Sequence, residues 1–194
     1  MRIFIIYARK ARTDNKFLLK DLAGSGGKMD TVCRFVTSCL WVSHGLRRDV
    51  DIYLVLNGPP RPPITIHISG ENVKRMDPNE RSIAIWIQKS LKGEITKDWK
   101  NIQEGIKVSA KSFQEIIKSL SDRPMYVLEE KGEYIEDIEI KENPVFVIGD
   151  HLGMPRNEEK FVLRYGEKIS LGKQPYFAST CATILNWILD KRKL

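Results

Sequence analysis

No apolar run among the 194 residues approaches the roughly 20 needed to cross a bilayer, which excludes a helical membrane span. The opening run, Met1 to Tyr7, is apolar but brief. It is followed by Arg9, Lys10 and Arg12 rather than by a small-residue cleavage site, so it reads as a strand and not as a secretory leader. Cysteine is scarce. Cys33, Cys39 and Cys181 are odd in number and form no CxxC, which argues against a disulfide framework and a zinc site and suits the reducing cytoplasm. The three histidines, His44, His67 and His151, lack metal-ligand spacing, so no metal is expected. HExxH, GxSxG and a GxGxxG after the first strand are all missing, which leaves out common metalloprotease, hydrolase and dinucleotide sites. The stretch Gly24-Ser25-Gly26-Gly27-Lys28 is no phosphate-binding P-loop: Leu22 stands where the first glycine belongs, and Met29 where Ser or Thr must follow the lysine. It reads either as a flexible turn or as a holder of an RNA phosphate at a helix start.

What is present is positive charge, unevenly placed. The net charge is +7. Residues 1–50 hold ten Lys/Arg against four Asp/Glu, residues 51–144 fourteen against sixteen, and residues 145–194 eight against five. Basic ends point to a polyanionic partner, with Arg9, Lys10, Arg12, Lys16, Lys20 and Lys28 as the expected RNA-docking region.

Strand-like apolar runs alternate with helical periodicity. Residues 2–7, 51–56, 125–128 and 145–148 are apolar nearly throughout, as strands buried on both faces are, and residues 64–68 and 105–108 are shorter extended pieces. Asp30 is placed to N-cap a helix carrying Val32, Phe35, Val36, Cys39 and Leu40, and Asp77 to cap another through Ile83 and Ile87. Ser109 is read as opening a third helix, residues 129–142 as an acidic surface excursion, residues 161–163 and 168–171 as short strands, and Tyr176 to Lys191 as the closing helix. The pattern predicts one α/β domain over 1–194, a mostly parallel sheet with helices on both faces. Ligands of such sheets sit beyond the carboxyl ends of the strands, here after Leu56, Leu128, Ile148 and Leu171.

The C-terminal third is the most specific part. VLEE, VFVIGDHLGMP and ISLGKQPYFASTCATILNWILD, in that order, are similar to the cofactor site of SPOUT methyltransferases. MRIFIIYARKARTD, LKDLAGSGGKMDTVCRF, LNGPPRPP and SGENVKRMDPNERSIA extend the likeness along the whole chain. The chain resembles the archaeal tRNA pseudouridine N1-methyltransferases, the TrmY family, which is close to the Nep-type ribosomal-RNA enzymes. The resemblance implies a C-terminal trefoil knot, which general rules of chain topology would not suggest. It also implies a homodimer, to which the apolar Ile184, Leu185, Trp187, Ile188 and Leu189 of the last helix would contribute.

The resemblance further implies S-adenosyl-L-methionine as cofactor, held largely by backbone groups, with Leu128, Gly149, Ile169, Leu171, Gly172, Phe177 and Cys181 lining its pocket. Cys181 has an equal reading as a packing residue. The implied reaction is methylation of N1 of pseudouridine 54 in the T-arm of tRNA. The same chemistry on ribosomal RNA, or a non-catalytic RNA-binding module of the same fold, are the alternatives. Neutral N1 is a poor nucleophile, so a proton acceptor or a cation must assist. Asp30 and Arg34, four apart on one helical face, are the expected pair, against the reading of Asp30 as a cap with Arg34 its surface neighbour.

Overall fold

The computed structural model describes residues 1–194. In chain order the elements are β1 (Arg2–Ala8), α1 (Met29–Leu40), β2 (Trp41–Val42), β3 (Gly45–Leu46), β4 (Val50–Leu56), β5 (Ile64–Ser69), α2 (Glu80–Ser90), β6 (Lys100–Gln103), β7 (Ile106–Ser109), α3 (Phe113–Ser119), β8 (Met125–Tyr134), β9 (Val145–Gly149), α4 (Arg156–Val162), β10 (Gly166–Ser170) and α5 (Ala178–Arg192). The main sheet has the order β10-β8-β9-β1-β4-β5-β7-β6. The pairs from β10 to β4 are parallel, and β5, β7 and β6 add on as an antiparallel edge.

β1 is buried at every position because both sheet faces are covered. Phe4, Ile6 and Ala8 point into the larger core with α1, α2 and α5, whereas Ile3, Ile5 and Tyr7 point into a smaller core with α3 and α4. Helices therefore lie on both faces, and an unbroken apolar run is what a central strand requires. Register aligns Phe4, Phe146 and Tyr126 across three strands, and their rings stack at 5.5 and 5.6 Å. Stacked rings of this kind add about 0.5–1.5 kcal/mol each beyond their buried area.

Several expectations need correction. Asp30 is not an N-cap: Lys28 occupies that position, left-handed at φ 68, and makes no side-chain cap. The left-handed turn includes Gly27 at φ 64, where a Cβ would come within 2.0 Å of the Lys10 carbonyl, so the chain enters α1 two residues earlier than an Asp30 cap would allow. Asn79, not Asp77, caps α2 by accepting from Ser82 N at 2.8 Å. Ser109 belongs to β7, and Ser112 opens α3 with a reciprocal capping box to Glu115. Residues 161–163 are not a strand, because Phe161 and Val162 end α4, whose short apolar run packs on the sheet through one face. The first part of the acidic excursion, residues 129–134, is strand. β8 runs to Tyr134, pairing with β10 through Val127–Lys168 and again through Glu133–Ile169, with the register shifted between the two stretches.

Candidate functional site

That break in the β8–β10 ladder opens one wall of a cavity of about 530 Å³. The cavity lies where the middle of β8 and the ends of β9 and β10 meet the first turns of α1 and α5. Its walls come from Leu128–Glu130, Ile148–His151 with Gly153 and Met154, Ser170–Gly172, Gln174–Ala178 with Cys181, and Lys28, Asp30, Thr31 and Arg34. Leu128, Ile148 and Leu171, three of the four positions named from the sequence as strand ends, line it, though β8 continues past Leu128; the fourth, Leu56, does not.

Of the residues expected to hold a cofactor, Leu128, Gly149, Leu171, Gly172, Phe177 and Cys181 line this cavity. Ile169 does not. It is fully buried in the larger core, while its neighbours Ser170 and Leu171 face the cavity. Phe177 is 75% exposed, at the mouth. Gly149 is packed backbone to backbone: a Cβ there would lie 2.8 Å from Gly153 Cα. Gly172 stands at φ 105 with its NH taken by Ser170 Oγ at 3.1 Å. Burial raises the Cys181 thiol to about 11, and its sulfur faces the Tyr176 carbonyl at 3.8 Å, so it is a neutral, weakly polar wall at ordinary pH.

Asp30 and Arg34 share the cavity with these residues. Arg34 donates to Asp30 Oδ2 at 2.6 Å and to Glu80 Oε1 at 3.3 Å. The other oxygen, Asp30 Oδ1, is buried and has no hydrogen-bond partner. A buried acceptor left empty costs about 1–3 kcal/mol, so an N–H donor from a bound molecule would be welcome there.

Glu129, Glu130 and Asp150 were not singled out from the sequence. Asp150 organises the loop after β9, accepting from Arg9 N at 2.7 Å and Leu152 N at 2.9 Å. Glu129 faces the cavity, and burial, then the nearby Glu159, push its carboxyl above the usual range. The VLEE string carried the signal, but its acidic half read as solvated surface. The walls thus carry four carboxylates, Asp30, Glu129, Glu130 and Asp150, against the fixed cations Lys28 and Arg34. An acidic cavity in a basic protein suits a cationic small molecule better than a polyphosphate. In the expected RNA-docking loop, Arg9, Lys10, Lys16, Lys20 and Lys28 are exposed, but Arg12 is held by Asp14 in two bonds of 2.8 and 2.7 Å and is less free to meet a phosphate.

Comparison with known proteins decides the family. A family model described as "Putative SAM-dependent RNA methyltransferase" matches residues 1–194. The chain belongs to this family. It is 40% identical over 196 residues to a tRNA (pseudouridine(54)-N(1))-methyltransferase of Thermococcus kodakarensis, covering 98% of this chain and 99% of that protein. It is also 40% identical over 203 residues to the protein of the same name from Methanocaldococcus jannaschii, covering 100% and 98%. Among solved structures, Archaeoglobus fulgidus Nep1 bound to S-adenosylhomocysteine superposes with a TM-score of 0.70 at 13% identity, covering 100% of this chain and 99% of that one. That likeness is one of fold, an α/β sheet with the same layering.

Proposed function

We propose that this chain is a tRNA pseudouridine N1-methyltransferase using S-adenosyl-L-methionine, acting at position 54 of the T-arm as a single SPOUT domain over residues 1–194. The observation that carries the reading is the acidic, glycine-walled cavity shared by β8, β9 and β10, in a chain about 40% identical over its whole length to relatives of that name.

The residues present fit the cofactor. Gly149, Gly172 and the first turn of α5 bring backbone polar groups to the walls, Leu128, Leu171 and Met154 give apolar contact, and the carboxylates complement a cationic ligand. When bound, S-adenosyl-L-methionine supplies a methyl group activated on a sulfonium. The protein's own contribution is to place the base and manage its proton. Asp30 Oδ1 is positioned to accept an N–H of the pyrimidine ring, and Arg34 to stabilise negative charge growing on the base. Holding N1 in line with the methyl carbon can supply on the order of 7–11 kcal/mol. The reading includes no metal, a cytoplasmic setting, and the trefoil knot. The close contact of Gly132 with Ile169, where a Cβ would lie 2.3 Å from backbone, is in keeping with a chain threaded tightly between β8 and β10.

The test is nucleoside mass spectrometry after incubating pseudouridylated tRNA with the protein and labelled cofactor. One N1-methylpseudouridine at position 54, formed equally in EDTA, is expected. Methylation of ribosomal RNA instead, or cofactor-free RNA binding without transfer, would replace the reading by one of its alternatives.

A further inference from the structure

A second concavity lies at the antiparallel edge of the sheet, away from the strand ends that form the candidate site. It has a volume of about 560 Å³, and its walls are Arg75, Trp86, Lys89, Lys92, Lys100, Asn101, Ile102 and Gln103. Four cations and no carboxylate line it, although the sequence segment that supplies them, residues 51–144, carries more acids than bases. None of the four is in an ion pair. Lys74, next in sequence, is already engaged by Glu104 at 2.7 Å. Like charges gathered without counterions repel one another, so the arrangement is unfavourable until an anion arrives.

The cleft is also organised in advance. Trp86 Nε1 donates to the Arg75 carbonyl at 2.9 Å, and Gln103 Nε2 to the Lys74 carbonyl at 2.8 Å, which clamps that loop between α2 and β6 with Arg75 left-handed at φ 55. Lys89 Nζ sits 3.8 Å from the centre of the Trp86 ring, an interaction that fixes the ammonium without neutralising it. Only Trp86 and Ile102 are apolar, too little for the centre of a protein–protein interface.

The same helix links the cleft to the candidate site. Glu80 at the start of α2 meets Arg34 of the cavity wall, and Lys89 follows about 14 Å further along the axis, at 1.5 Å per residue. Between them Gln88 Nε2 donates to the Phe17 carbonyl at 2.6 Å, which seats the stretch carrying exposed Lys16 against α2.

We infer that this cleft binds phosphates of the RNA substrate flanking the nucleotide in the cavity, through Arg75, Lys89, Lys92 and Lys100. The inference rests on the reading of the chain as an RNA methyltransferase and adds to it a backbone-holding surface that fixes register without reading sequence.

The experiment compares the full chain with K89A/K92A/K100A and with K118A/K160A/R164A. The second set removes the same charge from α3, α4 and the turn after α4, across the sheet. The probe is a pseudouridine-containing tRNA transcript, and binding is followed from about 50 to 300 mM salt. Loss of the cleft lysines should lower the slope of log affinity against log salt by about two to three, weaken binding at least tenfold near 0.1 M salt, and raise the KM for RNA. Turnover at saturating RNA and cofactor affinity should stay unchanged, the melting temperature should hold or rise as the repulsion is relieved, and the control variant should lose far less RNA affinity. A slope unchanged in the cleft variant, with wild-type methylation intact, overturns the cleft and leaves the enzyme reading standing. A slope lost in the cleft variant, with no methyl transfer by the wild type, supports the cleft and removes the enzyme reading. Equal losses in both variants reduce the effect to net charge and overturn the inference.

Discussion

Asp30 is where chemistry and packing can be separated most directly. The capping role that competes with catalysis in the sequence is gone, since Lys28 holds that position and Asp30 lies in the first turn of α1. Asp30→Asn preserves shape and one acceptor but weakens the pair with Arg34; Asp30→Ala removes both. Both should lose methyl transfer by about 10²–10⁴-fold, with cofactor affinity kept within a few-fold by calorimetry. Full turnover in Asp30→Asn would rule out proton acceptance there. Glu129 gives a prediction in the opposite sense. Burial and Glu159 raise its carboxyl in the folded state, so folding is favoured while it is protonated and that contribution fades as pH rises through the folded value. Without cofactor, Glu129→Gln should melt higher than the wild type at pH 7, and the difference should vanish below the ordinary glutamate range of about 4. A wild type melting higher at neutral pH would show Glu129 to be compensated.

Among the elements, α3 is short, and its start depends on local chemistry. Ser112 Oγ accepts from Glu115 N at 3.3 Å while Glu115 accepts from Ser112 N at 2.7 Å. Lys97 first, then Ser112 N, hold the Glu115 carboxyl down at about 2. A depressed carboxyl stabilises the fold above its unfolded value and loses that contribution as pH falls through the folded one. The stability gap between wild type and Glu115→Gln should therefore be widest above about pH 5 and close towards pH 2 in urea titrations. Ser112→Ala should cost about 1 kcal/mol at any pH in that range. Helix starts were the least legible elements, since Asp30, Asp77 and Ser109 are all chemically able caps. Which residue caps depends on where the preceding loop delivers the chain, and that is a matter of tertiary contact.

For the whole molecule, the surface left apolar bears on assembly. Of the five apolar residues of the last helix expected at a dimer interface, Leu185, Ile188 and Leu189 are buried within the chain and Ile184 packs against the same core. Only Trp187, 56% exposed, still faces outward, together with Tyr176, Phe177 and Leu152 near the cavity mouth. A homodimer proposed through α5 should give twice the chain mass in light scattering at micromolar concentration, and Trp187→Glu should return it to monomer. Monomer mass for the wild type would remove the dimer.

The sequence by itself determined the sheet's centre and part of the lining of the candidate site. Unbroken apolar runs of roughly four or more residues suit strands buried on both faces, and the glycine and proline strings after Ile148 and Leu171 mark loops where backbone must come close to something. Family likeness then named six of the cavity's residues from strings spaced over fifty positions. Tertiary structure alone decided the rest. The antiparallel edge depends on strand direction, which an alternating pattern does not encode. Glu129 turns inward because β8 loses register against β10, and an acid's solvation cannot be read without its neighbours. The cleft of unpaired cations beside Trp86 comes from a segment of net negative charge, because charge sums run along the chain while Coulomb's law acts across space.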